Sequence, residues 1–319
     1  MKRPDLIVSY PPHWRHGVGV ASAMYGFVLA LAPATLFGLY LYGIEAARVV
    51  SVAVVSCVVL EVLTQKLFRR PVSVTDGSAV LSGLLLGLIL PPSAPFWLVV
   101  IGSLVTIVVG KHVYGGLGCN PFNAVLVGWA VLVISWKARM DLNFAFVNIA
   151  PGAKYPLGVL WKEGATALGQ FNLWDLFVGR EIGGVGCTSD LLLLIGGVFL
   201  ILRGLISWRI PVSFLIGVAA ASTLFRLAGG GAYAGPLFHL VAGNTMIGAF
   251  FLATDYSSSP VGKWGMVVFG LGCGLLTVLL RVWSGYPDGT FFAILMMNMT
   301  TVLLDMIRPR PRPWPVVAT

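Results

Sequence analysis

The first long apolar stretch of the chain, residues 18–42, has the sequence VGVASAMYGFVLALAPATLFGLYLY and contains no charged residue. At roughly 1.5 Å of rise per residue, a helix of this length crosses a hydrocarbon core about 30 Å thick. The whole chain has the same character, with 57% hydrophobic residues, 10% charged residues and a mean hydropathy of +0.89. This pattern predicts an all-α integral membrane protein.

Repeated apolar runs of roughly 16–25 residues predict about ten transmembrane helices. They cover residues 18–42, 46–65, 76–90, 96–110, 121–136, 191–207, 211–228, 236–253, 264–283 and 290–305. Several runs are short, and the third ends at Pro91-Pro92. Short spans interrupted by glycine or proline are tolerated where protein or a cavity, and not lipid, surrounds them.

A polar segment, residues 137–190, divides these runs into two sets of five. Lys111-His112-Val113-Tyr114-Gly115 in the first set resembles Arg281-Val282-Trp283-Ser284-Gly285 in the second. An odd number of spans per half predicts two halves of opposite orientation, which is the inverted-repeat plan of many transport proteins. Glycine-rich membrane helices also resemble one another by composition, so the sequence leaves the repeat open.

The basic residues lie mostly at the ends of the predicted spans, which fits the positive-inside rule. If the amino end is inside, 13 of the 21 lysine and arginine residues are cytoplasmic, and both termini are predicted there. The polar segment is then on the outer face of the plasma membrane. The predicted parts are a cytoplasmic amino segment, a first five-helix half, an outer-face segment, a second five-helix half and a cytoplasmic tail, at residues 1–17, 18–136, 137–190, 191–307 and 308–319.

The outer-face segment contains Glu163-Gly164-Ala165-Thr166-Ala167-Leu168. Because Gly164 and Ala165 are small, we expect the Thr166 hydroxyl to be uncrowded, which would let an enzyme attach a group to it. A threonine in a loop is more often simply solvated, and three residues are a weak signal by themselves.

Two further polar stretches interrupt the apolar spans. Residues 111–123, KHVYGGLGCNPFN, predict irregular backbone that either approaches a ligand closely or forms a tight loop needing glycine for its turns. In the second half, Thr254 and Asp255 follow an apolar span and precede a serine-rich break. Glu61 lies near the end of its span, with Lys66 soon after, and is expected to reach the membrane interface.

The composition also limits the function classes. Topology explains the net charge of +9, so this charge does not indicate nucleic acid binding. The four cysteines form no C-x-x-C motif, which argues against a metal cluster or disulfide built by this chain alone. A cysteine contributed to a cluster shared with a partner is left open. His112 and His239 are isolated in sequence, which argues against a haem or metal site.

Taken together, these stretches resemble the D subunit of the Rnf ion-translocating oxidoreductase complex and, more distantly, the B subunit of the sodium-pumping NADH:quinone reductase. The resemblance covers most of the chain, and the chain length favours the Rnf protein. It is carried by Leu90-Pro91-Pro92, residues 111–123, Gly164-Ala165-Thr166, Ala253-Thr254-Asp255 with Ser259-Pro260, and Gly285-Tyr286-Pro287-Asp288-Gly289 before Phe291-Phe292-Ala293.

The resemblance implies a covalent flavin. In this family a flavin transferase esterifies the threonine of a Gly-Ala-Thr motif on the outer face to the phosphate of FMN. In this chain that residue is Thr166, preceded by Gly164 and Ala165, and the isoalloxazine stays free for redox chemistry. Glu163 departs from the family pattern, which more often has serine or another small polar residue at this position. Its carboxylate would mildly repel an incoming phosphate, and Lys162 would offset this repulsion.

The resemblance also implies a second, non-covalent flavin, riboflavin, within the membrane part. We expect it between the two halves, near the breaks at residues 111–123 and 254–255. The candidate contact residues are Lys111, Tyr114, Asn120, Asn123, Thr254 and Asp255.

As a whole, the resemblance implies an electron-transfer subunit that couples ferredoxin:NAD-type redox chemistry to Na⁺ or H⁺ translocation in a bacterial or archaeal plasma membrane. Its partners would be Rnf subunits A, B, C, E and G, the flavin transferase and the lipid bilayer, and the chain alone would not be catalytically complete. Three alternatives stay open: a secondary transporter without a redox group, a purely structural membrane protein, and the B subunit of the sodium-pumping quinone reductase.

Overall fold

The computed structural model describes residues 19–141, 155–180, 183–229 and 232–306, and within these ranges it contains helices and no β-strand. The α-helices are α1 Val20–Leu67, α2 Ser78–Ile89, α3 Phe96–Leu104, α4 Ala124–Ser135, α5 Lys137–Met140, α6 Pro156–Glu163, α7 Leu173–Val178, α8 Asp190–Leu202, α9 Arg209–Ala228, α10 Pro236–Val241, α11 Thr245–Ile247, α12 Lys263–Trp283, α13 Thr290–Asn298 and α14 Thr301–Met306. Short 3₁₀ helices cover Val74–Asp76 and Ala165–Gln170, and π-helical stretches cover Val105–His112 and Gly248–Leu252.

Apolar helices occupy the places where the sequence predicts membrane spans. By length and composition, α1, α9 and α12 are each able to cross a membrane. Shorter apolar helices are α2, α3 with its π-helical continuation, α4 and α8. The prediction of an all-helical, multi-pass membrane protein is therefore confirmed. A total of ten crossings in two inverted halves stays a prediction, and segments 1–17 and 308–319 lie outside the described residues.

Helix α1 contains two of the predicted spans, which meet at Gly43. This residue has φ 59° and ψ −137°, a conformation in which glycine is not penalised. A Cβ on Gly77 would contact Tyr25, and one on Gly83 would contact Val54. The two glycines are roughly 9 Å apart along α2, whereas Tyr25 and Val54 would be roughly 44 Å apart in one straight helix. The two arms of α1 therefore fold back beside each other.

The predicted span 236–253 is not one helix. It is divided into α10, α11 and the π-helical stretch Gly248–Leu252, with a break between Val241 and Thr245. Gly243 adopts φ +77° within this break. Broken helices are tolerated at membrane depth when other protein groups bind the freed backbone carbonyls. Here a buried arginine does so, as described below.

The helices approach one another closely where glycines lie. On α12, a Cβ on Gly274 would overlap the carbonyl oxygen of Phe214 on α9, and one on Gly270 would lie 2.7 Å from that of Ile210. Glycines four residues apart that admit a neighbouring backbone are typical of membrane helix packing. Large apolar side chains of the same two helices, such as Leu224 on α9 and Val268 on α12, are exposed, as expected where lipid is the solvent.

Candidate functional site

Thr166 lies on the 3₁₀ helix Ala165–Gln170, directly after α6. Gly164 joins the two helices with φ 82° and ψ −177°, a conformation that is essentially restricted to glycine. Thr166 is exposed, and the space beside Gly164 is open. The residue therefore has the accessibility that covalent attachment requires.

The segment that carries Thr166 is packed against the second half of the chain. The Trp161 indole donates a hydrogen bond to the Ser284 carbonyl at 3.3 Å. The Lys137 ammonium donates to the Gly285 carbonyl at 3.2 Å and lies 4.7 Å from the centroid of the Tyr286 ring. A buried apolar cluster joins the segment to α10, and it consists of Tyr155, Leu157, Leu176, Ala234, Phe238 and Ala242.

Two cavities include Ala165, Tyr233 and Ala234 in their walls. The larger one, here called the Ala165 groove, measures about 440 Å³ and is lined by Ala165, Leu168, Phe171, Leu173, Arg226 and residues 233–238. The smaller one measures about 160 Å³ and extends from Gly164 to His239 and Arg281. Cofactor pockets typically measure about 300–1,000 Å³ and have mostly apolar walls with a few polar groups. The Ala165 groove meets this description, so the residues beside Thr166 fit a flavin.

Four of the six residues predicted for the second flavin line one cavity, here called the Lys111 cavity, of about 70 Å³. They are Lys111, Asn120, Asn123 and Asp255. Thr254 is buried close by and donates its hydroxyl to the Phe250 carbonyl at 2.7 Å. Tyr114 is 46% exposed and does not line the cavity.

The Lys111 cavity lies where residues from the two predicted halves meet. Asn123 begins α4, with its side-chain oxygen accepting from the Val125 amide at 3.0 Å. Its amide group donates to the Leu252 carbonyl at 3.0 Å across the boundary between the halves. The Asp255 carboxylate accepts hydrogen bonds from Ser257 and Ser258 at 3.0 and 2.8 Å. Polar groups from both halves are therefore held in fixed positions around one small space.

Lys111 belongs to a helix and not to irregular backbone, since it lies in the π-helical stretch Val105–His112. Its ammonium group is buried and donates to Glu61 at 2.8 Å and to Ser78 at 2.7 Å. The expectation that Glu61 reaches the interface is wrong, because this residue is 1% exposed and also accepts from Gln65 at 2.8 Å. A buried carboxylate needs such partners, since desolvation without them is costly.

A second buried cation, Arg281, lies in the other half at the position that the repeat would match to Lys111. Its guanidinium donates to the Asp288 carboxylate at 3.1 Å and to the carbonyls of His239 and Ala242 at 2.7 and 2.9 Å. These carbonyls are those freed at the break between α10 and α11. Arg281 also donates to the Thr245 hydroxyl at 2.8 Å. These contacts of Arg281 connect α10 and α11 across the break.

Asp288 is buried in the loop before α13. Burial alone would raise the pKa of Asp288. The Arg281 guanidinium and hydrogen bonds from Thr290 and Asn244 outweigh burial and hold this pKa below its ordinary value. The sequence analysis used this pair only as part of a motif and did not predict its role. An arginine in an apolar run with an aspartate seven residues later was the available signal.

All four cysteines are free thiols. Within the described ranges, no group of three histidine, cysteine, aspartate or glutamate side chains is arranged to hold a metal ion.

Comparison with known proteins shows where this architecture belongs. A family model described as the NQR2, RnfD, RnfE family matches residues 7–312. The chain belongs to this family. The resemblance to the D subunit of the Rnf complex, first seen in the motifs, is confirmed by this match together with the D-subunit relatives described next.

Several members of the NQR2, RnfD, RnfE family are similar over nearly their full length. The D subunit of the proton-translocating ferredoxin:NAD(+) oxidoreductase complex of Clostridium ljungdahlii is 39% identical over 315 residues, which covers 96% of this chain and 95% of that protein. The D subunit of the Na(+)-translocating ferredoxin:NAD(+) oxidoreductase complex of Acetobacterium woodii is 40% identical over 309 residues, covering 96% and 94%. The D subunit of the ion-translocating oxidoreductase complex of Stutzerimonas stutzeri is 36% identical over 317 residues, covering 88% and 89%. The proton-translocating and the sodium-translocating relative are about equally similar to this chain. Overall sequence identity therefore does not indicate which of the two ions is translocated.

Proposed function

We propose that this chain is the membrane electron-transfer subunit of an Rnf-type ion-translocating oxidoreductase complex and carries FMN covalently on Thr166. The observation that carries the proposal is the exposed Thr166 hydroxyl, which lies on a packed segment beside a groove of cofactor size. Membership of the NQR2, RnfD, RnfE family supports the same assignment. When bound, FMN would supply reversible electron transfer.

Each residue around the attachment point has a definite task. Thr166 supplies the oxygen atom for the phosphoester, and Gly164 makes the turn that presents it. Glu163 and Lys162 are both exposed to solvent, where water and salt screen their charges strongly. The departure of Glu163 from the family pattern therefore weakens flavin attachment little.

The test is in-gel fluorescence after expression of the chain with an active flavin transferase. Wild-type protein should give a fluorescent band on a denaturing gel under ultraviolet light, and Thr166→Ala should remove it. Thr75→Ala is the matched control, because Thr75 is also an exposed threonine on a short 3₁₀ helix. Thr166→Ser should retain part of the band because the hydroxyl is kept.

Two outcomes contradict the assignment. A band that survives Thr166→Ala would place the flavin on another residue. A wild-type protein without fluorescence, while the same transferase labels a control substrate, would favour a transporter or a purely structural membrane protein.

The second flavin, riboflavin by resemblance, is proposed to bind at the Lys111 cavity. The isoalloxazine is too large for about 70 Å³ alone, since ligand pockets typically exceed about 300 Å³. An adjoining cavity of about 480 Å³ shares Asp255 and Tyr256 with it and provides the room. The amide, ammonium and carboxylate groups of the smaller cavity would then meet the polar edge of the ring.

Acid precipitation separates this flavin from the covalent one. Thr166→Ala protein should still release flavin into the supernatant, and Asn120→Leu should reduce the amount released. Equal release from wild type and Asn120→Leu would exclude the Lys111 cavity.

The function also requires a defined topology and partners. We propose a plasma-membrane location with cytoplasmic termini, residues 137–190 on the outer face, and assembly with Rnf subunits A, B, C, E and G to couple electron transfer to Na⁺ or H⁺ movement. Cys119 tests the topology, because it is the exposed thiol among four cysteines of which the other three are buried. A membrane-impermeant maleimide should label it in inside-out vesicles and not in right-side-out ones. The reverse pattern would contradict this orientation.

A further inference from the structure

The Ala165 groove has two walls of different origin. One is formed by the outer segment, with Ala165, Leu168 and Phe171. The other is formed by the connection between α9 and α10, with Tyr233 and Phe238. Thr166 is not part of the groove wall, but it follows Ala165 directly in the chain, so a group tethered to its hydroxyl is within reach of this groove.

The aromatic side of the groove is held in position by neighbouring residues. The Tyr233 ring lies 5.4 Å from the Phe225 ring, measured between centroids, with the planes inclined at 59°. Gly229 lies beneath it, since a Cβ there would overlap two carbon atoms of the Tyr233 ring. A fixed aromatic face of this kind is suited to packing against a planar heterocycle.

The groove also contains a positive charge. Arg226 lies in the last turn of α9, is exposed, and has its guanidinium against Gly235, where a Cβ would be 2.6 Å from a guanidinium nitrogen. No hydrogen bond joins Arg226 to another residue in the described part of the chain, and the described groove lining contains no carboxylate. The charge is therefore available to an anion that enters the groove.

The smaller cavity shares Ala165, Tyr233 and Ala234 with the groove but offers no such charge. Arg281 lines it, but its guanidinium is already bound to Asp288, Thr245 and two backbone carbonyls. At about 160 Å³ this cavity is also smaller than a typical cofactor pocket.

We propose that the Ala165 groove receives the isoalloxazine ring of the FMN on Thr166, and that Arg226 places its positive charge beside the ring when it is reduced. This inference rests on the proposed attachment of FMN to Thr166. A reduced flavin anion carries negative charge on the pyrimidine part of the ring, and a nearby guanidinium favours it over the neutral oxidised ring. Arg226 is thus a positioning and tuning residue for the cofactor.

The experiment uses the full chain with its covalent flavin and compares Arg226→Gln, Arg226→Lys and Tyr233→Leu with wild type. The covalent load is first matched by in-gel fluorescence, and then the flavin midpoint potential and the flavin fluorescence of the native protein are measured. Arg180→Gln is the control, since Arg180 is an exposed arginine of the outer segment that carries Thr166, pairs with Asp175 at 3.0 Å and does not line the groove.

Arg226→Gln should lower the midpoint potential, by about 30 mV for each tenfold loss in the relative stability of the two-electron-reduced form. Arg226→Lys should restore most of the loss, and Arg180→Gln should leave the potential unchanged. Tyr233→Leu should raise the native fluorescence, because contact with a tyrosine ring quenches flavin emission.

Unchanged potential in Arg226→Gln together with unchanged fluorescence in Tyr233→Leu would overturn the proposal. A lower flavin load in Arg226→Gln with an unchanged potential would place the guanidinium on the phosphodiester and would also overturn it. Failure of the proposed function is a different result, since it appears as a missing covalent band in the wild-type protein. If Arg226→Gln does not accumulate, Arg226→Met takes its place in the potential measurement, because Tyr233 lines both cavities and Tyr233→Leu does not distinguish them.

Discussion

Replacing Arg281 with glutamine should destabilise the protein far more than the same change at Arg180. Both arginines form an ion pair with aspartate, Arg281 with Asp288 at 3.1 Å and Arg180 with Asp175 at 3.0 Å. The pairs differ in burial, since the side chains of the first are 0% and 10% exposed and those of the second are 71% and 27% exposed. The comparison therefore sets a buried pair, whose arginine also binds two backbone carbonyls, against a single exposed pair.

The magnitude follows from what Arg281→Gln leaves behind. The Asp288 carboxylate stays buried without its cation, and the His239 and Ala242 carbonyls at the broken helix lose their donors. Removing one partner of a buried ion pair typically costs about 3–5 kcal/mol. The exposed pair is worth about 0–1 kcal/mol. At about 2–4 °C for each kcal/mol, Tm should fall by about 6–20 °C in Arg281→Gln and by less than about 4 °C in Arg180→Gln.

The assay is thermal unfolding in detergent, followed by tryptophan fluorescence at one fixed scan rate, since membrane proteins often unfold irreversibly. Asp288→Asn and the double variant complete a cycle, in which the double variant should lose less stability than the two single variants added together. Equal Tm shifts for Arg281→Gln and Arg180→Gln, or strict additivity in the cycle, would refute the reasoning.

Three further predictions concern packing, backbone geometry and pH. Gly274→Ala should lower stability by about 1–3 kcal/mol because the new Cβ would overlap the backbone of α9. Gly272→Ala is the control and should lower stability less, because its Cβ would meet only the flexible end of a methionine side chain. The Tm in detergent measures both effects. Gly164→Ala should strain the turn by about 1–3 kcal/mol and reduce in-gel flavin fluorescence, whereas Gly169→Ala, also in open space but without a positive φ, should not. Because the pKa of Asp288 is held low in the folded state, its contribution is present above about pH 4 and is lost as pH falls through the folded value. The Tm difference between wild type and Asp288→Asn should therefore shrink on acidification, and a constant difference would contradict this account.

Much of the helical framework was predictable because hydropathy is a local property. The span predicted at 211–228 is α9, Arg209–Ala228, and the span at 264–283 is α12, Lys263–Trp283. The run 236–253 was predicted as one span because its apolar residues are continuous. The break in this run is stabilised by Arg281, which lies 39 residues beyond Ala242 and donates a hydrogen bond to the Ala242 carbonyl.

The candidate sites were likewise predictable only in part. The accessibility of Thr166 was predicted from two small neighbours, and the turn at Gly164 presents it in this way. The Ala165 groove was not predicted, because its second wall comes from Arg226 and residues 233–238, some 60 residues further along the chain. Residues 111–123 suggested a ligand site. Three of the predicted contact residues in this stretch line one cavity together with Asp255 from the other half of the chain.

By itself, the sequence determined that this is a membrane protein, where its apolar helices lie and where the Gly-Ala-Thr motif lies. Each of these depends on residues adjacent in the chain. Only the tertiary structure decided how the charged residues within the apolar helices are used. Glu61 was expected at the interface from its own neighbours, yet it pairs with Lys111, 50 residues away, in a buried site. A charge within an apolar helix either reaches the interface or finds a partner, and which of the two occurs depends on the helix packed beside it.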